Sequence, residues 1–222
     1  MRTLAFSVHP DDETLGCGGT LLKHKNEGDE LFWVVVTEAK TSGWSKELIQ
    51  QKAKEVEKVA KAYQMTDVFK LGFPTTQLDT IPQSDLITSL REIIAKIKPE
   101  TVYMVHSGDV HTDHHAVFSA AFSVFKSFYT QKWGVKQILS FETLSSTEAA
   151  PQLVGRVFVP NVYSDITPYL EKKIEIMNLY ETEAQKDPMP RGPSAIRALA
   201  RYRGATVGVE YAEAFMLLRK FF

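Results

Sequence analysis

Two short segments concentrate the side chains that can hold a metal ion or move a proton. His9-Pro10-Asp11-Asp12-Glu13 sets one imidazole and three carboxylates side by side. The second segment, His111-Thr112-Asp113-His114-His115, belongs to a stretch from His106 to His115 that holds four of the six histidines. Two residues separate His9 from Asp12, so both can aim at one point from a tight turn, and Pro10 stiffens that turn. Imidazole with carboxylate suits Zn²⁺ and leaves other divalent ions less excluded than a thiolate site would. One histidine of the second segment would complete a site of two imidazoles and one carboxylate, with a position open for water. Asp113 can orient a neighbouring ring, as carboxylates behind metal-binding histidines do. Spacing alone leaves open which of Asp11 and Asp12 binds metal and which histidine joins it. The plainer reading makes Asp11, Asp12 and Glu13 acidic starters of a helix and the later histidines part of a polar loop.

The surrounding pattern decides whether the segments can meet. Thr3–Val8 is a short apolar run, followed by a helical pattern over residues 14–27. Residues 30–37 (ELFWVVVT) form a near-continuous apolar run of strand length, as in a buried parallel strand. A helix over 45–63, a strand over 67–71, a helix over 84–97, a strand over 101–105 and a helix over about 111–129 complete an alternation that predicts a doubly wound, mostly parallel sheet. Further on, strands are expected over 137–143 and 156–163, a helix over 168–180, a loop at Asp187–Pro193, a short helix over 194–202 and a last strand over 211–218. Both His/Asp segments follow strands. In such a sheet the carboxyl ends of strands are where sites form, so the two segments can meet across one edge.

Composition narrows the classes. A chain of 222 residues with no internal repeat reads as one domain over 1–222. Its formal net charge of −1 gives no support to a nucleic-acid or anionic membrane partner. One cysteine, Cys17, excludes an intrachain disulfide and is read as packing. No run approaches the roughly 20 apolar residues of a membrane span, and the N-terminus lacks signal-peptide pattern; a cytoplasmic location is the expectation. His24 is read as solvated surface, His115 as turned away from the site and His106 as a strand-end residue. Tyr202, Tyr211, Phe215, Phe221 and Phe222 are read chiefly as core, with homo-oligomer contact as their other use.

With HPDDE after the first strand, HTDH after a later one and ARYRGATVGVEYAEAF near the C-terminus, the sequence resembles the PIG-L/LmbE-like deacetylase family over nearly its whole length. The resemblance implies a Rossmann-like α/β fold and a mononuclear zinc site, with Fe²⁺ as another occupant. It implies removal of the acetyl group from N-acetylglucosamine-type substrates such as glycolipids and thiol glycosides. Carried over by residue, it makes His9, Asp12 and His114 the metal ligands, Asp11 the general base, and a protonated His111 the stabiliser of the developing oxyanion, oriented by Asp113. Members acting on small glucosamine conjugates often carry a sugar-contacting arginine near the start of the second long helix. Here that region reads QQKAKEVEKVAK, with lysines only, and Lys cannot make the bidentate contacts of Arg. Arg191, Arg197, Arg201 and Arg203 lie late in the chain; Arg203, beside Gly204 in the family-like stretch, is the expected substrate contact, the others solvated surface.

Two alternatives accompany this expectation. The same metal site can serve an amidase acting on a thiol conjugate or a longer N-acyl group. In a different class, residues 15–19 (LGCGG) with Glu38 can be read as a nucleotide-binding Rossmann domain without catalysis, which leaves HTDH unexplained and does not match GxGxxG.

Overall fold

The computed structural model of the protein describes residues 1–40 and 43–221. Strand β1 (Arg2–Ser7) lies inside the sheet and is buried from Thr3 to Ser7. It runs parallel to β2 (Glu30–Glu38) on one side and to β4 (Thr101–Val105) on the other. With β3 (Asp67–Pro74), β5 (Gln137–Phe141), β6 (Val162–Asp165) and β7 (Ala212–Lys220), the seven strands lie in the order β3-β2-β1-β4-β5-β7-β6. Strands β1 to β5 pair in parallel, and β7 runs antiparallel to both β5 and β6. The near-continuous apolar run of β2 has its cause in this arrangement: Trp33, Val34 and Val36 are fully buried under helices.

The helices are α1 (Asp12–Asn26), α2 (Lys46–Ala62), α3 (Gln83–Ile97), α4 (Thr112–Val124), α5 (Ser127–Trp133), α6 (Leu170–Met177) and α7 (Pro193–Val207). The chain proceeds from β1 outward through β2 and β3, then returns to β4 on the other flank. Successive connections therefore diverge between β1 and β4, and their carboxyl ends flank a crevice. Both His/Asp segments leave the sheet there.

The fold class is the expected one, with local differences. The helix expected over 111–129 is two, because Phe125 leaves helical geometry, buries its ring edge-on to Phe6 at 6.5 Å and accepts a hydrogen bond from Arg219 at its carbonyl. The strand expected over 156–163 is shorter and starts later, at Val162–Asp165. Gly155, at φ +83°, turns the chain just before it, and Pro160 has no N–H for a ladder. The helix expected to stop at 202 continues to Val207, where Gly208 closes it in the left-handed conformation. Phe215 is buried and Tyr202 exposed; Phe222 lies outside the described residues. No helix among the described residues is long and apolar enough to cross a membrane.

Helix α1 is broken at Cys17 (φ −139°, ψ 16°), and a buried ion pair occupies the break. Glu213 of β7 accepts the backbone N–H groups of Gly19 and Thr20, both at 2.8 Å. Lys173 of α6 donates to the Leu15 carbonyl at 2.9 Å and to Glu213 at 2.7 Å. The backbone groups that a straight helix would have paired internally are thus satisfied by side chains.

Candidate active site

The turn after β1 is fixed by its own carboxylates. Asp12 Oδ2 accepts the N–H groups of Val8 at 2.9 Å and His9 at 2.8 Å. Behind the turn, Glu13 accepts hydroxyls from Ser7 (2.6 Å), Thr14 (2.6 Å) and Tyr180 (2.7 Å). Burial nonetheless pushes the Glu13 pKa up. Glu13 also takes the Asp11 N–H at 3.4 Å. Asp11 itself sits at φ +132°, a conformation that non-glycine residues adopt only when their surroundings enforce it.

The other oxygen of Asp12 faces His114 Nε2 at 3.4 Å. The opposite nitrogen of that ring, Nδ1, contacts Asp109 at 2.7 Å, and the second oxygen of Asp109 accepts the Thr147 hydroxyl at 2.6 Å. With Nδ1 occupied by Asp109, Nε2 is the atom left to face Asp12. Burial opposes charge on His114, but Asp12 and Asp109 outweigh it and raise its pKa. One ligand atom each from His9, Asp12 and His114 lie within 4.8 Å of one another. The ring centroids of His9 and His114 are 5.4 Å apart. Segments over 100 positions apart in sequence thus meet at one point.

His111 stands at the N-cap of α4, with its centroid 4.3 Å from that of His9. Burial, and then the neighbouring His9 and His114, lower its pKa to about 4. Its Nδ1 accepts the backbone N–H of Asp113 at 3.2 Å, so a neutral ring carries its proton on Nε2. This differs from the expected protonated His111 oriented by the Asp113 carboxylate. That carboxylate instead contacts His9 Nε2 at 3.0 Å and accepts the backbone N–H groups of Thr76 (2.7 Å) and Leu78 (3.2 Å). Burial works to raise the Asp113 pKa, and these partners prevail and lower it.

Asp11 is buried and pairs with Arg191 Nη1 at 2.9 Å. Burial first, then the charges of Asp12 and Glu183, raise its pKa well above the usual carboxylate range against the pull of Arg191. The same Nη1 reaches Glu183 at 2.7 Å, and Glu183 in turn holds the ammonium of Lys52 from α2. Arg191 comes from the proline-rich loop before α7. Asp187 shapes that loop by accepting Ser194 N–H at 2.9 Å and the Ser194 hydroxyl at 2.6 Å. A Cβ at Gly192 would lie 2.7 Å from Asp187 Oδ1.

These groups line one cavity of about 420 Å³ that includes His9, Asp11, Asp12, His111, His114, Lys52, Glu183 and Arg191. Arg203 is not among them: it makes two 2.7 Å bonds to Glu142 beside two smaller hollows. Arg197 pairs with Glu171, and Arg201 with Glu210. The arginine at the cavity is Arg191. His24, expected in solvent, is buried between Asp29 at 2.8 Å and the Tyr103 hydroxyl at 3.0 Å. His106 does not line the cavity; its Nε2 meets the Arg156 carbonyl at 2.9 Å. His115 reaches the Asp109 carbonyl.

Sequence reading passed over Asp109 and Glu183, and took Lys52 only as one of the lysines of QQKAKEVEKVAK. Asp109 carried a signal, standing in the same strand-end stretch as His111 and His114. Glu183 had none, because only the fold brings it to Asp11.

Comparisons with known proteins follow the same geometry. Residues 4–125 match the PIG-L family, described as GlcNAc-PI de-N-acetylase. The chain is 28% identical to the uncharacterized deacetylase YaiS of Escherichia coli K12 over 73% of this chain and 80% of that protein. It is 25% identical to the diacetylchitobiose deacetylase of Thermococcus kodakarensis over 96% of this chain and 81% of the relative. The crystal structure of the conserved protein TT1542 from Thermus thermophilus shares the fold, with a TM-score of 0.78 at 24% identity, covering 99% of this chain and 96% of the other.

Proposed function

Because this chain belongs to the PIG-L family, we propose that it is a metal-dependent hydrolase that removes the N-acetyl group from an N-acetylglucosamine-type sugar or sugar conjugate. The observation that carries the reading is the convergence of His9, Asp12 and His114 beside Asp11 in one cavity.

The donor set fits a divalent cation. Asp12 and Asp109 both face His114, so the cluster is rich in negative charge, and Asp12 keeps an oxygen free of backbone bonds. The overlapping triplet, His9, His111 and Asp113, has donors already committed: the Asp113 carboxylate takes two backbone N–H groups and His111 Nδ1 takes a third. His9, Asp12 and His114 would therefore hold the ion, with Asp109 fixing His114 and Asp113 fixing His9. Two imidazoles and one carboxylate suit zinc and also accept Fe²⁺. When bound, such an ion supplies Lewis acidity and lowers the pKa of water from 15.7 to about 7.

Asp11 takes a proton from the water that attacks the amide carbon. It returns that proton to the nitrogen as the C–N bond breaks, giving a carboxylic acid and a free amine, which then exchange the remaining proton to carboxylate and ammonium. Nε2–H of neutral His111 donates to the oxygen on which charge develops; removing one such donor costs about 10²–10³ in turnover. Arg191 holds Asp11 in place. Lys52 and Arg191 line the cavity, joined through Glu183, whereas Arg203 lies outside it, paired with Glu142.

The test is an amine-release assay on N-acetylated glucosamine compounds with the metal content of each sample measured. Asp11→Asn is expected to keep its metal and lose at least about 10²-fold in turnover. His114→Ala is expected to lose both. Near-normal turnover in Asp11→Asn removes Asp11 as the base, and full activity after exhaustive chelation removes the metal.

A further inference from the structure

Asp11 is held at both of its ends by groups whose partners come from one short turn. Its N–H goes to one oxygen of Glu13, and the Tyr180 hydroxyl donates to the other at 2.7 Å. Its carboxylate goes to Arg191, whose Nη1 is shared with Glu183. Tyr180 and Glu183 belong to the turn after α6, which is closed by the Glu183 and Ala184 N–H groups bonding to the Tyr180 carbonyl at 2.9 and 2.7 Å. Between them stands Thr182, whose contacts lead to α2. Its N–H and its hydroxyl both donate to Glu55, at 3.1 and 2.7 Å, and Lys52 donates to the same hydroxyl at 3.2 Å. Lys52 and Glu55 are three positions apart on α2, so one turn of that helix grips Thr182 and Glu183. Glu55 is 2% exposed and forms no ion pair among the described residues. A carboxylate buried in this way is costly unless it is hydrogen-bonded, and besides Gln51 its bonds go to Thr182.

We propose that Glu55 and Thr182 are positioning residues for the base: they pin the 180–184 turn to α2, and the turn then holds Asp11 through Tyr180 and Glu13 at the backbone and through Glu183 and Arg191 at the carboxylate. The proposal rests on the reading of Asp11 as the base. Asp11 needs such a double hold because φ +132° persists in a non-glycine residue only where the surroundings over-determine it. Neither Glu55 nor Thr182 lines the cavity, so each acts through other residues and not on the substrate. The metal ligands lie outside this chain of bonds: the carboxylates behind them are Asp109 and Asp113. Loosening the turn therefore moves the base and leaves the ion in place.

The experiment compares zinc-loaded wild-type protein with Thr182→Val, Thr182→Ser and Tyr180→Phe in the amine-release assay, with metal content measured and a crystal structure of each. Thr182→Val is expected to lose about ten-fold in kcat, on the order of what a shift of about 0.5 Å at the base costs, with KM and metal content at wild-type level. Thr182→Ser keeps the hydroxyl and is expected to recover most of that loss. Because this path runs through Arg191, Thr182→Val should cost little more in an Arg191→Met background, whereas Tyr180→Phe, acting through Glu13, should cost its full amount there. In the crystals the Asp11 carboxylate should be displaced in Thr182→Val while His9, Asp12 and His114 keep their places. An unmoved Asp11, or a loss in kcat undiminished by Arg191→Met, overturns the proposal. Lowered thermal stability with unchanged kcat does so too, since it leaves the turn a purely structural part. Should Thr182→Val fail to fold, Glu55→Gln, which loses one of the two acceptor oxygens, is expected to show the same split between kcat and KM. If wild-type protein cleaves none of the compounds, the hydrolase reading is removed, and the position of Asp11 in the crystals alone decides whether the turn holds it.

Discussion

Each imidazole proposed as a ligand has its own carboxylate behind it, Asp109 for His114 and Asp113 for His9, at 2.7 and 3.0 Å. Carboxylates in this position fix ring orientation and ligand basicity, and their loss typically costs about 10–100-fold in metal affinity. Asp109→Asn is therefore expected to weaken metal binding by about that factor, as read by competition with a chelator of known affinity. Arg191 acts on a different property. Replacing it by Met leaves buried Asp11 without its cation, and a displacement of about 1 Å at the base is worth on the order of 10²-fold in turnover. Metal content should stay at wild-type level in Arg191→Met, and Arg191→Lys should recover part of the loss in kcat; unchanged kcat in Arg191→Met would show that Asp11 needs no such anchor. The metal-binding types were legible in the sequence because His and Asp at strand ends announce themselves. Arg191 was not singled out, because nothing in DPMPRGP distinguishes an arginine that points inward from a solvated one.

At the scale of elements, the break in α1 is the least obvious feature and the one most exposed to mutation. Glu213 and Lys173 are both nearly inaccessible, at 4% and 5%. Removing one partner of such a pair leaves an uncompensated buried charge and costs about 3–5 kcal/mol. Glu213→Ala is expected to lose that much in denaturant unfolding. The double variant Lys173→Met/Glu213→Leu should regain a large part, because it removes both charges together. Sequence periodicity gave helices and strands where apolar residues repeat, as in β2 and α3. It could not see the break at Cys17, since Gly16, Gly18 and Gly19 read equally well as packing glycines. Strand β6 was overextended because the apolar residues before it are bounded by Gly155 and Pro160, whose backbone demands override the pattern.

Considered whole, the molecule brings its site together by topology: β1 and β4 are neighbours because the chain doubles back after β3, so the two His/Asp turns flank one crevice. Folding and metal binding should then be linked. An ion bound only by the native state at a hundred times its Kd adds about 2.7 kcal/mol of stability. Thermal unfolding with and without added zinc should show that gain in wild-type protein and in His111→Ala, and not in His114→Ala; equal stabilisation of His114→Ala would place the ion elsewhere. The doubly wound sheet was legible from the strand–helix alternation. The antiparallel return of β7 between β5 and β6 was not, because strand length and hydrophobicity carry no direction.

The helix break also bears on how the protein is made. Every proposed metal ligand has been translated by residue 114, and the strands that bring them together by Val105. The groups that brace the first His/Asp turn, Tyr180 and Arg191, and those that fill the break in the helix after it, Lys173 and Glu213, arrive much later. A nascent chain leaving the ribosome therefore displays the ligands well before it can seat the base, and competence to cleave an amide is acquired only when the last strand has emerged and inserted into the sheet.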